Sequence, residues 1–430
     1  MRSPTHNPQI LALDVNNNLP GGDQGELLYQ TPLTMSSDYA RTGPREFVLD
    51  VANAVNNDGT KKYKLDIALN TLVTKVNFDT SGARPKATGV DYLVGKSLYR
   101  ADTRASDGDG VPGSVNARRE VIVAGGAFNT PQILKLSGVG PASELQAFGI
   151  PVVRDLPGVG GNLQDRYEVG VAGKAPSDFA LLKDCTFLQD PQGEDDPCYR
   201  KWKNLPGELK GAYTTNGLAF GYIHHSSQAA AKGDDPDLYL GGAPALFDGY
   251  YPGYAVSATA DRSIWTWLTL KAHSRNNAGT VNLTSADPRD TPRVAFRSLG
   301  EGVGGDADLQ AVYEGVQYGL RAFESLVPLD GAFERVWPDP ANVSSEEEFK
   351  QFIRDEAWGH HASCTAPIGA DDDPLAVLDA QFRVRGVDGL RVVDASVFPK
   401  IPGTYIVLPI YMVSEKAADV IIESARRDRA

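Results

Sequence analysis

Cysteine is scarce in this sequence, with 3 residues in a chain of 430. So few cysteines exclude a small fold held together by a disulfide framework. Long apolar runs are also missing: no stretch of about 18 consecutive apolar residues occurs, so no transmembrane helix is predicted. The opening residues, MRSPTHNPQI, are polar and contain proline, and no secretory signal peptide is visible there. These features leave the cellular location open.

Positively charged residues are also fewer than negatively charged residues. The chain has 42 Lys and Arg residues against 55 Asp and Glu residues, which gives a formal net charge of −13. Because no basic cluster stands out from this acidic background, we expect neither a nucleic-acid surface nor a membrane-binding patch. Hydrophobic residues make up 41% of the chain, which is enough for two ordinary cores. The sequence therefore predicts a globular protein, with which small neutral or cationic substrates are compatible.

The three cysteines leave alternatives open. Cys185 and Cys198 flank a turn-rich segment and could pair as a disulfide, which for a loop of this length stabilises by about 3 kcal/mol in the loop-entropy model. Two free thiols are equally compatible with the sequence, because the redox compartment is unknown. Cys364 lies beside a pair of histidines. It could be a nucleophile or a packed side chain, and its surroundings favour the packed side chain.

The richest stretch is 358–416, which contains WGHHASCTAPIG, GVDGLRVVDASVFP and SEKAADVI. In 384–393 apolar residues alternate around a Gly-Val-Asp-Gly turn, which predicts a short buried strand that ends at Asp394. Ligands of open α/β sheets bind beyond the carboxyl ends of the strands, so the Asp-Ala-Ser that follows indicates contact with a cofactor. After the break at Pro402 and Gly403, apolar residues at helical spacing predict a C-terminal helix.

A second strong pattern is EVIVAGGAFNTPQILKLSGVG. Its first apolar run, Val121–Val123, predicts a buried strand, and the dipeptide Thr130-Pro131 predicts the start of a helix. Between them, the small residues Ala124 and Gly125 would let a dinucleotide approach the backbone closely.

Together these blocks resemble the glucose-methanol-choline (GMC) family of flavin-dependent alcohol oxidoreductases. The resemblance rests on the histidine before SCTAPIG, on GVDGLRVVDASVFP, on SEKAADVI and on GAFNTPQILKLSGVG, and it covers nearly the whole chain. The segment LPGVGGNLQDR continues it, although the family usually has His where this chain has Arg166. We interpret this change as a subfamily difference.

The resemblance implies FAD as the cofactor and a small-molecule alcohol as the substrate, whose hydroxyl proton is removed while a hydride passes to flavin N5. His361 matches the family's catalytic histidine, and an imidazole with a pKa near 6.5 suits a general base. His360 is predicted to be structural, because adjacent side chains in extended backbone point to opposite faces. Tyr405 falls on the second catalytic position, usually His or Asn, where a phenol is a better hydrogen-bond donor than base.

The same resemblance implies cofactor contacts outside the catalytic pair. Val73 matches a valine whose backbone binds adenine in the family, with an ordinary β-branched strand residue as the alternative. Asp394 and Ala395 match positions near the ribityl chain and the pyrophosphate. The backbone of Ile406 would face the pyrimidine edge of the flavin. No metal ligand set is predicted.

The predicted fold class is α/β plus α+β, an incomplete FAD-binding Rossmann-like domain with an antiparallel-sheet substrate domain. We assign 1–38 to a loop segment of the substrate domain, 166–380 to the substrate-binding domain itself, and 39–165 with 381–430 to the FAD-binding domain. Predicted helices lie at 44–55, from Asp306 and from Ser345, where Glu348 completes a capping box. Predicted strands lie at 65–69, 72–78, 87–93 and 264–270, the last half-buried and paired with GTVNLTSADP.

Two motifs invite a cofactor or metal interpretation that we reject. GEGVGG, before the helix at Asp306, has the spacing of a dinucleotide-binding loop, but an acid lies where the pyrophosphate would bind. The preceding PRVAFRSL is also not apolar enough for a central strand, so we predict an ordinary loop. His224 and His225 have no third ligand nearby and are predicted to form a solvated strand end.

The family's opening strand, glycine-rich loop and helix have no counterpart in this sequence, nor has its ribose-binding acid. Two functions therefore stay open: an alcohol oxidoreductase represented by an N-terminally truncated chain, and a non-catalytic homologue that keeps the substrate domain as a binding module. Without the glycine-rich loop, these residues alone are not expected to hold FAD stably. The strand Val121–Val123 is expected to be uncovered. The identity of the alcohol, the electron acceptor and the oligomeric state are left open.

Overall fold

The computed structural model describes residues 28–187, 195–300, 302–326 and 330–427. They form two compact units that alternate along the chain. The first unit comprises the described parts of Met1–Ile67, Tyr167–Ala272 and Ala307–Trp358. The second unit comprises the described parts of Ala68–Arg166, His273–Asp306 and Gly359–Ala430.

The predicted domain boundaries differ from this division in four places. Residues 39–67 lie with the first unit, whereas Arg166, 273–306 and 359–380 lie with the second. Boundaries drawn from composition produce long contiguous blocks, while packing groups short segments that are distant in sequence. The assignment of cofactor and substrate roles to the units stays a prediction.

A six-stranded antiparallel sheet forms the first unit, which confirms the predicted sheet type. In spatial order its strands are Leu28–Tyr29, Phe220–His224, Leu238–Ala243, Ile264–Lys271, Glu168–Lys174 and Glu334–Trp337. Ile264–Lys271 pairs with Leu238–Ala243 on one side and Glu168–Lys174 on the other, so it is an interior strand whose residues are mostly buried on both faces. The strand predicted at 264–270 is confirmed, but its predicted half-buried character and its pairing with GTVNLTSADP are wrong. Part of that segment, Thr280–Asn282, pairs instead with Arg293–Ala295.

The helix Gly305–Ser325 packs on this sheet through two glycines one turn apart. A β-carbon on Gly315 would lie 2.4 Å from Thr269, and one on Gly319 would lie 2.9 Å from Val171. Only glycine, which has no β-carbon, lets the helix backbone approach the sheet this closely. The helix begins next to its predicted start, and most of its predicted apolar stripe is buried.

A buried ion cluster lies in the same unit. Lys271 is fully buried, and its Nζ lies 3.2 Å from a carboxylate oxygen of Asp237 and 3.7 Å from one of Asp308. Asp237 also accepts hydrogen bonds of 2.8 Å from the backbone and the hydroxyl of Ser226. Because an isolated buried charge is costly, the three ionised groups depend on one another.

In the described part of the first unit, the remaining helices are Pro44–Asn53, Pro197–Asn204, Ser227–Ala230, Tyr254–Ala258 and Glu346–Glu356, with a 3-10 helix at Gly207–Thr214. The predicted capping box is confirmed: Ser345 Oγ accepts from the Glu348 backbone at 3.3 Å, and the Glu348 carboxylate accepts from the Ser345 backbone at 2.8 Å. The strand predicted at 65–69 is wrong. That segment is irregular, and Ile67 stays 43% exposed because no neighbouring strand pairs with it.

Cys185 and Cys198 form a disulfide, one of the two alternatives that the sequence left open. Both cysteines are buried. Residues 188–194, between them, lie outside the described residues.

His224 ends a strand as predicted, but it is not solvated. It is half-buried, and its ring packs against those of Tyr222 and Tyr318, with centroids 5.7 and 5.3 Å away.

Small sheets make up the described part of the second unit. Thr71–Asp79, Lys86–Val94 and Val111–Asn116 form an antiparallel sheet, which confirms the strands predicted at 72–78 and 87–93. The other pairs are Val121–Val123 parallel with Leu390–Val392, Val139–Gly140 parallel with Arg154–Asp155, and Thr280–Asn282 antiparallel with Arg293–Ala295. The first of these pairs joins the two strands predicted from the strongest sequence blocks.

The helices of the second unit are Gly126–Leu136, Ala142–Ala147 and Val407–Arg427, with a 3-10 helix at Ala395–Val397. Its core is a continuous cluster of apolar side chains that includes Val76, Leu134, Val139, Leu378, Leu390, Val392 and Ala417. The parallel strands and the C-terminal helix therefore share one core. The observed architecture is a mixed α/β fold.

Two further expectations can be compared with the fold. Glu301, the acid of GEGVGG, lies outside the described residues. The glycines on either side follow the antiparallel strand Arg293–Ala295, and Gly300 and Gly304 adopt left-handed φ angles of +117° and +80°. This agrees with a turn that leads into a helix rather than a dinucleotide loop. Within the described residues, no helix combines the length and apolar character that a membrane span requires.

Candidate active site

Two segments that are far apart in sequence pair in the second unit and form the framework of the site. The Gln164 backbone N–H donates to the Ser363 carbonyl at 3.2 Å, and the Ser363 N–H donates back to Gln164 at 2.9 Å. This pairing brings Asp165 beside His361. A carboxylate oxygen of Asp165 accepts from the His361 backbone N–H at 2.8 Å and from that of Arg166 at 2.7 Å.

The two histidines of the predicted pair differ in exposure. His361 is 6% exposed, whereas His360 is exposed. Their rings nevertheless lie only 4.0 Å apart between centroids, so the backbone does not turn them to fully opposite sides. The buried ring is the one that sequence matching assigned to catalysis.

His361 is held in its neutral form. Burial, together with the positive charge of Arg166, lowers the pKa of His361 to about 3. Both causes penalise the imidazolium: burial removes its hydration, and a nearby guanidinium repels it. At neutral pH the imidazole is therefore unprotonated, and with a pKa this low it is a weak base.

Tyr405 lies against His361. Their ring centroids are 5.6 Å apart and the ring planes meet at 64°. Tyr405 follows Gly403, whose φ of +60° bends the chain just before the helix Val407–Arg427. The guanidinium of Arg166 donates a hydrogen bond to the carbonyl of Pro402 in the same bend.

Cys364 is a packed side chain rather than a nucleophile. It is fully buried with Ala395, Ile401 and Ile406. Burial raises the pKa of its thiol to about 12, so the reactive thiolate is not populated at neutral pH.

The helix Gly126–Leu136 begins four residues before Thr130, where its start was predicted, and Pro131 lies inside it. An interior proline leaves the carbonyl four residues earlier, that of Ala127, without its helical donor. Thr365 Oγ1 supplies a replacement and donates to the Ala127 carbonyl at 2.7 Å in a buried environment. The prediction failed because it treated the helix as isolated from the SCTAPIG segment.

Asp394 binds the beginning of this helix. One carboxylate oxygen accepts from the Gly126 N–H at 3.0 Å and from Thr130 Oγ1 at 2.6 Å, and the other accepts from the backbone and hydroxyl of Ser396. A carboxylate at a helix N-terminus also interacts favourably with the helix dipole. The side chain is thus engaged within the protein, which leaves the backbone as the part that can face a cofactor.

Three of the predicted cofactor residues line one cleft. Val73, Ala124 and Gly125 border a cavity of about 430 Å³ with mostly apolar walls. The ladder between the first two strands of the antiparallel sheet is irregular just after Val73, a feature that is common next to binding sites. The strand Val121–Val123, which also borders this cleft, was expected to be exposed to solvent. Ile122 is 44% exposed but Val123 is buried, so the strand is only partly exposed.

Comparison with known proteins decides the family. Two family models, both described as GMC oxidoreductase, match residues 40–168 and 275–414. The chain belongs to the GMC oxidoreductase family. This confirms the resemblance read from the sequence blocks.

An oxygen-dependent choline dehydrogenase from Pseudomonas syringae pv. tomato is 32% identical over 367 residues, which cover 85% of this chain and 57% of that GMC relative. Mouse mitochondrial choline dehydrogenase is 32% identical over 360 residues, covering 82% and 52% of the two chains. The chain therefore spans between half and two thirds of the length of these relatives. The crystal structure of a formate oxidase has a TM-score of 0.65 at 22% identity over 83% of this chain and 60% of its own, which shows a shared fold.

Three residues of the site were not identified from the sequence of this GMC protein. Asp165 and Arg166 are almost completely buried and contact the segments that carry the predicted catalytic pair. Thr365 was matched only as part of a motif. The available signal was the acid and the arginine in NLQDR, two charged residues within an apolar and amide-rich run.

Proposed function

We propose that this chain carries the alcohol-oxidising site of an FAD-dependent GMC oxidoreductase, with His361 and Tyr405 as the catalytic residues. The observation that carries the proposal is the buried, neutral imidazole of His361 in ring contact with Tyr405. A neutral imidazole accepts a proton, and a phenol donates a hydrogen bond, which are the two roles that alcohol oxidation requires.

Several of the residues predicted to bind the cofactor suit parts of FAD. The cleft at Val73, Ala124 and Gly125 has small, apolar walls suited to the flat faces of a nucleotide base. The backbone of Asp394 and Ala395 would lie near the ribityl chain and pyrophosphate. These residues therefore fit the parts of FAD that they would contact, but they do not include the glycine-rich loop expected to bind the pyrophosphate. When bound, FAD supplies a hydride acceptor at flavin N5.

Ile406 would contact the flavin through its backbone. It immediately precedes the helix Val407–Arg427, and its carbonyl accepts from the Ile410 N–H at 2.9 Å. The first N–H groups of a helix carry partial positive charge and have no partners within the helix. They would favour an electron-rich edge of the cofactor.

In the proposed reaction, His361 removes the hydroxyl proton of the alcohol. A pKa of about 3 makes this imidazole a weak base before substrate binds. A developing alkoxide beside the ring would raise the pKa of His361, because an opposite charge nearby stabilises the imidazolium. Tyr405 would donate a hydrogen bond to the same oxygen and stabilise its negative charge.

The names of the relatives support an alcohol as substrate. Two similar proteins are choline dehydrogenases, and the acidic chain is compatible with a neutral or cationic molecule. The alternative, a non-catalytic binding module, requires no neutral imidazole at the site. The arrangement of His361 and Tyr405 therefore favours the enzyme.

The test is the rate at which an alcohol reduces bound FAD under anaerobic conditions, followed by flavin absorbance. In a flavin-containing full-length form of the protein, His361→Ala is expected to slow reduction by at least about 100-fold, the effect of losing a general base. His360→Ala is the matched control, because it removes an imidazole from the adjacent, exposed position.

Two results would count against the proposal. A larger effect of His360→Ala than of His361→Ala would show that the catalytic histidine is misassigned. Binding of alcohols with no reduction of FAD by any of them would favour the binding module.

A further inference from the structure

Three side chains of the segment 162–166 contact the loop that carries Tyr405. Asn162, Gln164 and Arg166 each form a hydrogen bond with a backbone group between Pro399 and Pro402. The backbone of the same segment pairs with Ser363, next to the segment of the catalytic histidine. One short stretch therefore contacts both chains that supply the proposed catalytic pair.

The first two of these side chains bind the loop through amide groups. Asn162 Nδ2 donates to the Pro399 carbonyl at 3.0 Å, and Gln164 Oε1 accepts from the Ile401 N–H at 3.1 Å. The two amides also bind each other: Gln164 Nε2 donates to Asn162 Oδ1 at 2.8 Å. Each amide is thus fixed in orientation by more than one contact.

Arg166 binds the loop closest to the catalytic pair. Its guanidinium donates to the carbonyl of Pro402, three residues before Tyr405. Its backbone N–H donates to Asp165, whose carboxylate also holds the backbone of His361. Arg166 is 0% exposed, so water does not compete with the protein for its guanidinium, and its hydrogen bond to the Pro402 carbonyl is buried.

The loop itself has little means of fixing its own conformation. Pro399 and Pro402 have no N–H to donate, and Gly403 adopts a left-handed φ of +60°. A segment with so few internal hydrogen bonds takes its position from outside donors and acceptors.

We propose that Asn162, Gln164 and Arg166 form an anchoring row whose function is to position the phenol of Tyr405 against His361. They are positioning residues, which act through Tyr405 and not on the substrate directly. The inference rests on the proposed function for its kinetic consequence. Its structural consequence, the fixed position of the loop, does not depend on that function.

The kinetic test is a double-mutant cycle on the reduction of bound FAD by an alcohol. In the wild-type background, Tyr405→Phe is expected to slow reduction by about 2- to 12-fold, the effect of one neutral hydrogen bond. In the Arg166→Met background, the same substitution should slow reduction by less than about 1.5-fold, because the phenol is no longer in place. Equal effects in both backgrounds would overturn the proposal.

A second variant covers the case in which Arg166→Met does not fold. Asn162 adopts a left-handed φ of +57°, which glycine adopts without strain. Asn162→Gly therefore removes the amide and retains the backbone, and it should reduce the effect of Tyr405→Phe in the same way. Arg385→Met is the matched control, because Arg385 also donates to backbone carbonyls, those of Gly369 and Leu378. It should leave the effect of Tyr405→Phe unchanged.

The structural test uses the protein without FAD and needs no activity. Trypsin can cut the loop after Lys400, which is exposed, once the loop leaves its anchors. Cleavage there, measured by mass spectrometry, should be at least about 5-fold faster in Asn162→Gly and Arg166→Met than in the wild type, while other sites are cut at unchanged rates. Unchanged cleavage after Lys400 would overturn the anchoring row even if FAD is reduced normally. Faster cleavage without any reduction of FAD would support the row and count against the proposed function.

Discussion

His361 should make the protein less stable as the pH falls from 7 to 5. The pKa of His361 in the folded protein is lowered to about 3, first by burial and second by Arg166. In the unfolded chain an imidazole has a pKa near 6.5. Between these two values the unfolded chain binds a proton that the folded protein does not, so acid favours unfolding.

The size of the effect follows from linkage. Below about pH 6.5, each further unit of pH lowers the free energy of unfolding by about 1.4 kcal/mol, as long as the pH stays above the pKa of His361 in the folded protein. At pH 5 the penalty from His361 is therefore about 2 kcal/mol relative to pH 7. The figure does not depend on the exact folded pKa, because any value below about 4 gives nearly the same penalty at pH 5.

The assay compares urea unfolding at pH 7 and pH 5 for three proteins: the wild type, His361→Gln and Tyr405→Phe. The wild type should lose about 2 kcal/mol more than His361→Gln between the two pH values. Tyr405→Phe changes the ring in contact with His361 but removes no group that titrates in this range, so it should behave as the wild type. Proton uptake on unfolding at pH 5, measured by calorimetry in two buffers, should be larger by about one proton in the wild type than in His361→Gln.

The same loss of stability in the wild type and in His361→Gln would refute the reasoning. It would mean that the imidazole is hydrated enough to take a proton in the folded protein. The proposed neutral base would then lose its physical support.

Three further substitutions test other parts of the structure. Tyr405→Phe should slow reduction of bound FAD by about 0.5 to 1.5 kcal/mol in activation free energy and leave the urea midpoint unchanged; no change in rate would limit Tyr405 to shaping the site. Thr365→Val removes the donor to the Ala127 carbonyl and should lower the free energy of unfolding by about 1 to 3 kcal/mol, measured in urea at pH 7, whereas a neutral result would mean that water replaces the hydroxyl. Lys271→Met removes a buried cation from beside two buried carboxylates and should lower the free energy of unfolding by about 3 to 5 kcal/mol, against less than about 1 kcal/mol for Lys61→Met, which breaks an exposed pair; similar losses would contradict the buried ion cluster.

The elements that sequence reasoning identified are those whose signal is local. The run Val121–Val123 and the strand that ends before Asp394 were found from apolar residues bounded by turns, and the structure pairs them in parallel. The helix after Ser345 was found because a capping box is a pattern of four adjacent residues. Strand partners were not found in this way. Ile264–Lys271 was recognised as a strand, but it pairs with the preceding strand, Leu238–Ala243, and with Glu168–Lys174, which lies much earlier in the chain.

The features of the candidate site also divide into those with a local sequence signal and those that depend on folding. His361 and Tyr405 could be proposed because each lies in a motif, and the structure adds that their rings are in contact. The low pKa of His361 could not be predicted, because it depends on burial and on Arg166, which is brought near by the pairing of Gln164 with Ser363. The sequence alone does not show that Arg166 lies near His361 in the folded protein.

Pro131 and Thr365 show why two distant motifs occur together. A proline inside a helix is disfavoured because it leaves one carbonyl without a donor, and here that carbonyl belongs to Ala127. Thr365 supplies the donor, and its own carbonyl accepts from the Gly160 N–H at 2.8 Å. The threonine therefore joins the helix after the first parallel strand to the segment that continues from His361. A change at either motif would disturb the other, so the helix start and the position of the catalytic segment are one structural feature.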